Sequence, residues 1–190
     1  FMTIEHGYAD VNGITLHYAH TGKENKNLLL FAHGFPEFWY EWRHQLEEFG
    51  ADYHAVALDG RGYNLSSKPE NVDDYQSPNM VEDLRQLALH FGAETFTLVG
   101  HDWGGAVSWA FAIAHPEMLD KLIMINMPHI ACFLREMENS VEQQTASQYV
   151  RLMKSAEAEA VLSANNFEEL WKFATFDDLH ARGIMTDEDK

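Results

Sequence analysis

The chain carries a single cysteine, Cys132, in 190 residues. One thiol excludes an internal disulfide and any zinc site built from cysteines. No run of 18 apolar residues exists, so no segment reads as a membrane-spanning helix. No cationic start with an apolar stretch precedes the first strand; no secretory leader is visible and a cytoplasmic location is expected. Basic residues are scarce: 13 Lys and Arg stand against 30 Asp and Glu, a net charge of −17 with histidine neutral. Nucleic acid and anionic membrane would be repelled by that balance, which excludes both as partners and reads as a solvated acidic surface. Internal repeats and low-complexity linkers are absent, and no metal or organic cofactor is expected. The chain opens Phe1-Met2, compatible with a residue left from cloning or with an incomplete start.

What is present is enough apolar sequence, 46%, for one sizeable core. Tyr8 to Val11 and Ile14 to Tyr18 flank Asn12-Gly13, a two-residue hairpin signal. Leu28 to Ala32 and His54 to Leu58 are short apolar runs suited to central parallel strands, Phe96 to Val99 reads as a buried strand, and Leu119 to Ile125 is a sixth strand candidate. Between them, Trp39 to Phe49 reads as a helix with Trp42, Leu46 and Phe49 on one face. Val81 to Phe91 is a second, with Leu84, Leu87, Ala88 and Phe91 at helical spacing. The alternation predicts βαβ units in an α/β fold with a mostly parallel sheet flanked by helices. Catalytic groups then belong at the carboxyl ends of the strands, where His33, Asp59, Asp102 and Asn126 fall. Past Pro128 only helical periodicity remains: Phe133, Met137 and Val141, then Tyr149, Leu152 and Met153, then an Ala- and Glu-rich stretch from Ser155 to Ala164, and Phe167 to Phe176.

The most informative stretch is Gly100-His101-Asp102-Trp103-Gly104-Gly105, between the strand ending at Val99 and a helical run without breakers from Ala106 to Ala114. It has the form of a nucleophile elbow with aspartate where serine would stand. Such a turn crowds the backbone, so glycine is needed two positions away on each side. It lifts Asp102 above the sheet and aims its carboxylate at the free N–H groups that open the helix. A carboxylate cannot carry out serine-type acyl transfer, but it can attack a saturated carbon and form an alkyl ester.

Four motifs in order, His33-Gly34-Phe35-Pro36 with its continuation to Arg43, Asp59-Gly60-Arg61-Gly62-Tyr63 with Ser66 to Pro69, the elbow, and Asn126-Met127-Pro128-His129, resemble the α/β-hydrolases of the epoxide hydrolase group. The resemblance covers nearly all of the chain. It implies an α/β-hydrolase core over residues 1–128 and the beginning of a helical cap domain over 129–190, with the C-terminal strands missing. It makes Asp102 the nucleophile and gives Phe35 and Trp103 an oxyanion hole of backbone N–H groups, two fixed donors for the charge that develops when water attacks the ester. Tyr149 takes the position of a cap tyrosine that hydrogen-bonds the epoxide oxygen, a task suited to a phenol. His33, Pro36 and Trp39 are assigned to the substrate pocket. The implied partner is a small-molecule epoxide or related electrophile.

In that family a histidine activates water against the ester and an acid orients it. None of the eleven histidines stands in a matching context, and Asn126, an amide, occupies the slot some haloalkane dehalogenases use for the acid. The expectation is therefore a truncated chain that lacks turnover, with an exposed strand edge liable to self-association. Asn64 replaces a glycine of the family motif and tolerates a left-handed backbone; Arg61 is expected to bridge loops. Two further readings are haloalkane or haloacid dehalogenation by the same nucleophile, and an inactive fragment or interaction module.

Overall fold

The computed structural model describes residues 3–174 and 176–186; Phe1, Met2 and residues 187–190 of the segment assigned to the cap lie outside the described residues. The chain divides into two compact units, Phe1–Ile130 and Ala131–Lys190.

The first unit is built on a six-stranded sheet: β1 (Glu5–Val11), β2 (Ile14–Thr21), β3 (Leu28–Ala32), β4 (His54–Leu58), β5 (Phe96–His101) and β6 (Leu119–Ile125) in the order β1-β2-β4-β3-β5-β6. β1 and β2 form the hairpin, and both turn residues have positive φ, 48° at Asn12 and 74° at Gly13, as a twist-matched two-residue turn requires. β2 runs antiparallel to β4, and the four strands from β4 across to β6 are mutually parallel. The chain order reverses around β3, with β4 on one side and β5 on the other. Ligands of open parallel sheets bind at such a reversal, beyond the carboxyl ends. Among the described residues β6 pairs with β5 alone.

β3 is apolar and buried at every position, and β4 and β5 are largely so, because both faces of the central strands are covered. Leu28, Leu30 and Ala32 join Val56, Leu58 and Leu98 in a core completed by Leu84 and Leu87 of α2 (Ser77–His90) and Val107 and Phe111 of α3 (Asp102–Ala114). Leu29, Phe31, Ala55, Ala57 and Val99 face the other way, onto Trp42 and Leu46. Two helical expectations need revision. The stretch from Trp39 is a 3-10 turn, Trp39–Trp42, that runs into α1 (Arg43–Phe49), and Phe49 is 40% exposed instead of sharing the buried face. α2 starts earlier than its apolar spacing suggests, at Ser77, where Pro78 fits a first turn whose N–H groups lack partners.

The loop after β4 is fastened to α2 by charge. Arg61 donates from Nε and Nη2 to both carboxylate oxygens of Asp83 at 2.9 and 2.7 Å, and both side chains are buried. Asp83 also accepts from Asn12 Nδ2 at 2.8 Å, so one carboxylate joins the hairpin, the loop and the helix.

The second unit is helical throughout its described part: α4 (Ile130–Asn139, its first residue in unit one), α5 (Val141–Ala146), α6 (Tyr149–Met153), α7 (Ala158–Phe173) and α8 (Phe176–Ala181). The expected stripe of Phe133, Met137 and Val141 is broken at Ser140, whose hydroxyl accepts the Gln143 N–H and starts a new helix. Val141 is 75% exposed as a result. α7 is interrupted where Asn165, Asn166 and Phe167 take positive φ, at the seam between the two helical segments read from the sequence. None of the described helices is long and apolar enough to cross a membrane.

Breaking a buried bidentate ion pair from one side leaves a charge stranded. Asp83→Ala is expected to cost about 3–5 kcal/mol in urea unfolding. A loss below about 1 kcal/mol, the range of a surface pair, would contradict this account.

Candidate active site

Asp102 is the first residue of α3 and has φ 47°, a left-handed conformation that non-glycine residues adopt at a cost on the order of 1–3 kcal/mol. Close approach forces it. A Cβ on Gly104 would strike the carbonyl oxygens of Ala32 and His33, so the first turn of α3 lies directly on the end of β3. The chain leaving β5 has no room for a gentler bend, and the elbow expected from the bracketing glycines is the conformation observed. The carboxylate is half-buried at the head of α3, where first-turn N–H groups have no partner within the helix. Trp103, its indole half exposed, lies on that turn.

From the end of β3, the Phe35 N–H donates to Asp102 Oδ1 at 3.1 Å. The structure thus brings together two residues distant in sequence, one from each strand beside the reversal. His33 shapes the loop from beneath: its Nε2 accepts the Gly60 N–H at 3.0 Å and its Nδ1 lies 2.8 Å from the Gly34 carbonyl oxygen. That pattern requires the neutral ring with its proton on Nδ1. Burial, which lowers the His33 pKa, favours the same state. His33 is 5% exposed and both its nitrogens are engaged, so its place is in the framework of the site.

Asp59, fully buried at the end of β4, holds the neighbouring loops. It accepts from His17 Nδ1 at 2.7 Å, the Trp39 N–H at 2.9 Å, Asn64 Nδ2 at 2.8 Å and the Leu65 N–H at 3.3 Å. Asn64 has φ 39°, the left-handed backbone its residue type tolerates. The Trp39 ring, assigned to the substrate pocket, meets His6 edge-on at 4.9 Å and packs on the core beside Leu29 and Trp42. A cavity of about 50 Å³, room for a water or two, is bounded by His33, Arg61, Tyr63, Trp103 and Val107. Pro36 and Trp39 are not among its walls; Pro36 is half-buried and follows a cis peptide bond.

Sequence reasoning missed two residues at this site, Glu41 and Tyr63. Glu41 Oε1 lies 2.6 Å from His101 Nδ1, and Glu41 Oε2 accepts the Gly34 N–H at 3.3 Å. The Glu41 carboxylate, in close ion-pair contact with the ring, raises the His101 pKa against the opposing effect of burial, with Asp102 and Glu37 adding to the rise. Tyr63 meets the His33 ring edge-on at 4.6 Å, and its phenol is pushed up to about 12 by burial and then by the Asp102 charge. The signal for Glu41 was thin, a lone acid in an aromatic run. Asn126 has φ 55° and begins a segment pinned to α3 by the Trp109 Nε1–H, which donates to the Met127 carbonyl at 3.4 Å. Tyr149 begins α6 in the second unit, where its ring packs on Phe173 at 5.2 Å. Among the described residues no three His, Cys, Asp or Glu side chains cluster to hold a metal ion.

Comparison with known proteins matches residues 27–166 to the family described by the alpha/beta hydrolase fold. Epoxide hydrolase 1 of Caenorhabditis elegans is 46% identical over 143 residues, covering 75% of this chain and 35% of that protein. The AB hydrolase superfamily protein YfhM of Bacillus subtilis (strain 168) is 40% identical over 184 residues, 96% of this chain and 64% of that one. In structure, Bacillus megaterium epoxide hydrolase in complex with an inhibitor superposes with a TM-score of 0.92 at 43% identity, covering 96% of this chain and 63% of its own. The chain therefore spans between about a third and two thirds of the relatives it matches.

Close approach at Gly34 yields a test of the geometry. A Cβ there would lie 2.6 Å from Asp102 Cβ, so Gly34→Ala must push the loop away from the elbow. The Phe35 amide should then lose its acceptor and exchange with solvent roughly tenfold faster, the equivalent of about one hydrogen bond. Unchanged exchange of that amide would show that the contact does not hold the loop.

Proposed function

The chain belongs to the α/β-hydrolase fold family, and we propose that it opens epoxides by attack of Asp102 on a ring carbon. The observation that carries this reading is the bond from the Phe35 N–H to Asp102 Oδ1 at 3.1 Å. It commits one carboxylate oxygen to a backbone donor and leaves Oδ2 as the attacking atom. Attack at the less hindered carbon forms a carbon–oxygen bond to Oδ2 and breaks the ring carbon–oxygen bond. The product is an alkyl ester of Asp102 and an alkoxide, which takes a proton from the Tyr149 phenol. Water then adds to the ester carbonyl carbon; the charge falls on Oδ1, stabilised by the Phe35 and Trp103 amides, and collapse releases a diol. Residues 129–190 serve in this reading as the opening of a cap that brings Tyr149 to the substrate.

The second half-reaction needs a base. His33 is committed to Gly60 and Gly34, His101 to Glu41 and His17 to Asp59. The 190-residue chain is therefore proposed to stop at the ester, since general-base assistance is worth ~10²–10⁴-fold. Ile123 and Ile125, 45% and 42% exposed on β6, favour association through that edge. Dehalogenation would use the same nucleophile; Phe35 stands where haloalkane dehalogenases carry a halide-binding amide, and epoxide hydrolases are among the named relatives.

Incubation with styrene oxide should add one epoxide mass to the intact protein without sustained diol release, and Asp102→Asn should take up none. Continuous multiple-turnover diol formation by this chain would show that it holds a base the reading omits. An unmodified wild-type protein would remove Asp102 as the nucleophile.

A further inference from the structure

We propose that Glu41 is a positioning residue for ring opening, holding the Phe35 amide and the Asp102 carboxylate together by gripping the residue that precedes each. The inference rests on Asp102 being the nucleophile and adds what keeps it aligned. Pairing between β3 and β5 ends at Ala32 and Gly100. Phe35 and Asp102 both lie beyond that last pair, so the sheet ladder does not set their separation. Glu41 bridges the gap where the ladder stops: Oε2 accepts the Gly34 N–H at 3.3 Å and Oε1 meets His101 Nδ1 at 2.6 Å. The Glu41 backbone is fixed in turn, its N–H donating to the Phe38 carbonyl at 3.0 Å beside the buried Trp42. Side-chain exposures of 17% for Glu41 and 27% for His101 shelter the pair from full solvent screening.

The charges around His101 make the grip sensitive to pH. Glu41 and Glu37 act on it from the segment after β3, and Asp102 is its neighbour in sequence; all three favour the imidazolium and burial opposes it, while His101 in turn lowers the pKa of His33 beyond the end of β3. The His101 pKa is raised, so the imidazolium that completes the pair persists to higher pH than an ordinary histidine's and is lost as pH rises through that value. Loss of the imidazolium sets a falling limb of ring opening at higher pH.

Two variants separate the parts of the grip. Glu41→Gln keeps an acceptor for the Gly34 N–H and removes the charge, whereas Glu41→Ala removes both. In Glu41→Gln, His101 should titrate at lower pH by NMR, and the Phe35 amide should exchange several-fold faster. Alkylation by styrene oxide should slow about 10–10²-fold, as expected for small misplacement of reacting groups, with its falling limb moved to lower pH. Glu41→Ala should be slower still. Unaltered His101 titration and Phe35 exchange in Glu41→Gln would overturn the grip itself. A wild-type Phe35 amide protected through Glu41 in a protein that styrene oxide never modifies would instead overturn the nucleophile, and with it the part of the proposal that concerns catalysis.

Discussion

The first turn of α3 rests on the backbone at the end of β3, and the geometry of the candidate site follows from that approach. Gly104 has no space for a side chain against the Ala32 and His33 carbonyls. The chain leaving β5 must therefore turn within one residue, and Asp102 takes the left-handed backbone that allows it. The same proximity brings the loop after β3 over the elbow, where the Phe35 N–H reaches the carboxylate. Strain, donor and acceptor thus arise from one packing constraint between adjacent parallel strands. That constraint falls where the strand order reverses, the place where a parallel sheet leaves a crevice open.

Buried polar groups then fix the loops that the strands cannot. Asp59 satisfies donors from β2, the 3-10 turn and the loop after β4, with four partners for one carboxylate removed from water. An ionised group in that position is tolerable only when so provided for. Arg61 and Asp83 do the same between that loop and α2. Each of these residues borders the site without touching Asp102 through a hydrogen bond, and each holds a segment from which the site is assembled. The His33 ring completes the set by joining the loops after β3 and β4 through its two nitrogens.

Much of this was legible from local rules. Asn12-Gly13 specified its hairpin, the apolar runs Leu28 to Ala32 and His54 to Leu58 specified buried strands, and Gly100 and Gly104 around Asp102 specified the elbow, because each depends on a few adjacent residues. Arg61 was expected as a bridge, although its partner could not be named, since Asp83 lies on a helix whose start the periodicity placed too late. Glu41 and Tyr63 escaped for a related reason: their roles come from what the fold sets beside them, His101 in one case and Asp102 in the other. Trp39 was assigned to the pocket by its motif, and its contacts with His6 and the core could not be read from the motif. In the helical unit the apolar stripe ran on through Ser140, because a helix cap acts over a single turn and leaves the periodicity on either side intact.

The central claim is that Asp102 is the atom donor to the new carbon–oxygen bond, and locating the modified residue tests it most directly. The chain offers an epoxide competing nucleophiles, among them the exposed thiol of Cys132 and the ring nitrogens of its histidines. After stoichiometric treatment with styrene oxide, tandem mass spectrometry of the peptides should place the adduct on the Asp102 side chain as an ester. An adduct on Cys132 or a histidine, with the Asp102 peptide unmodified, would contradict the account.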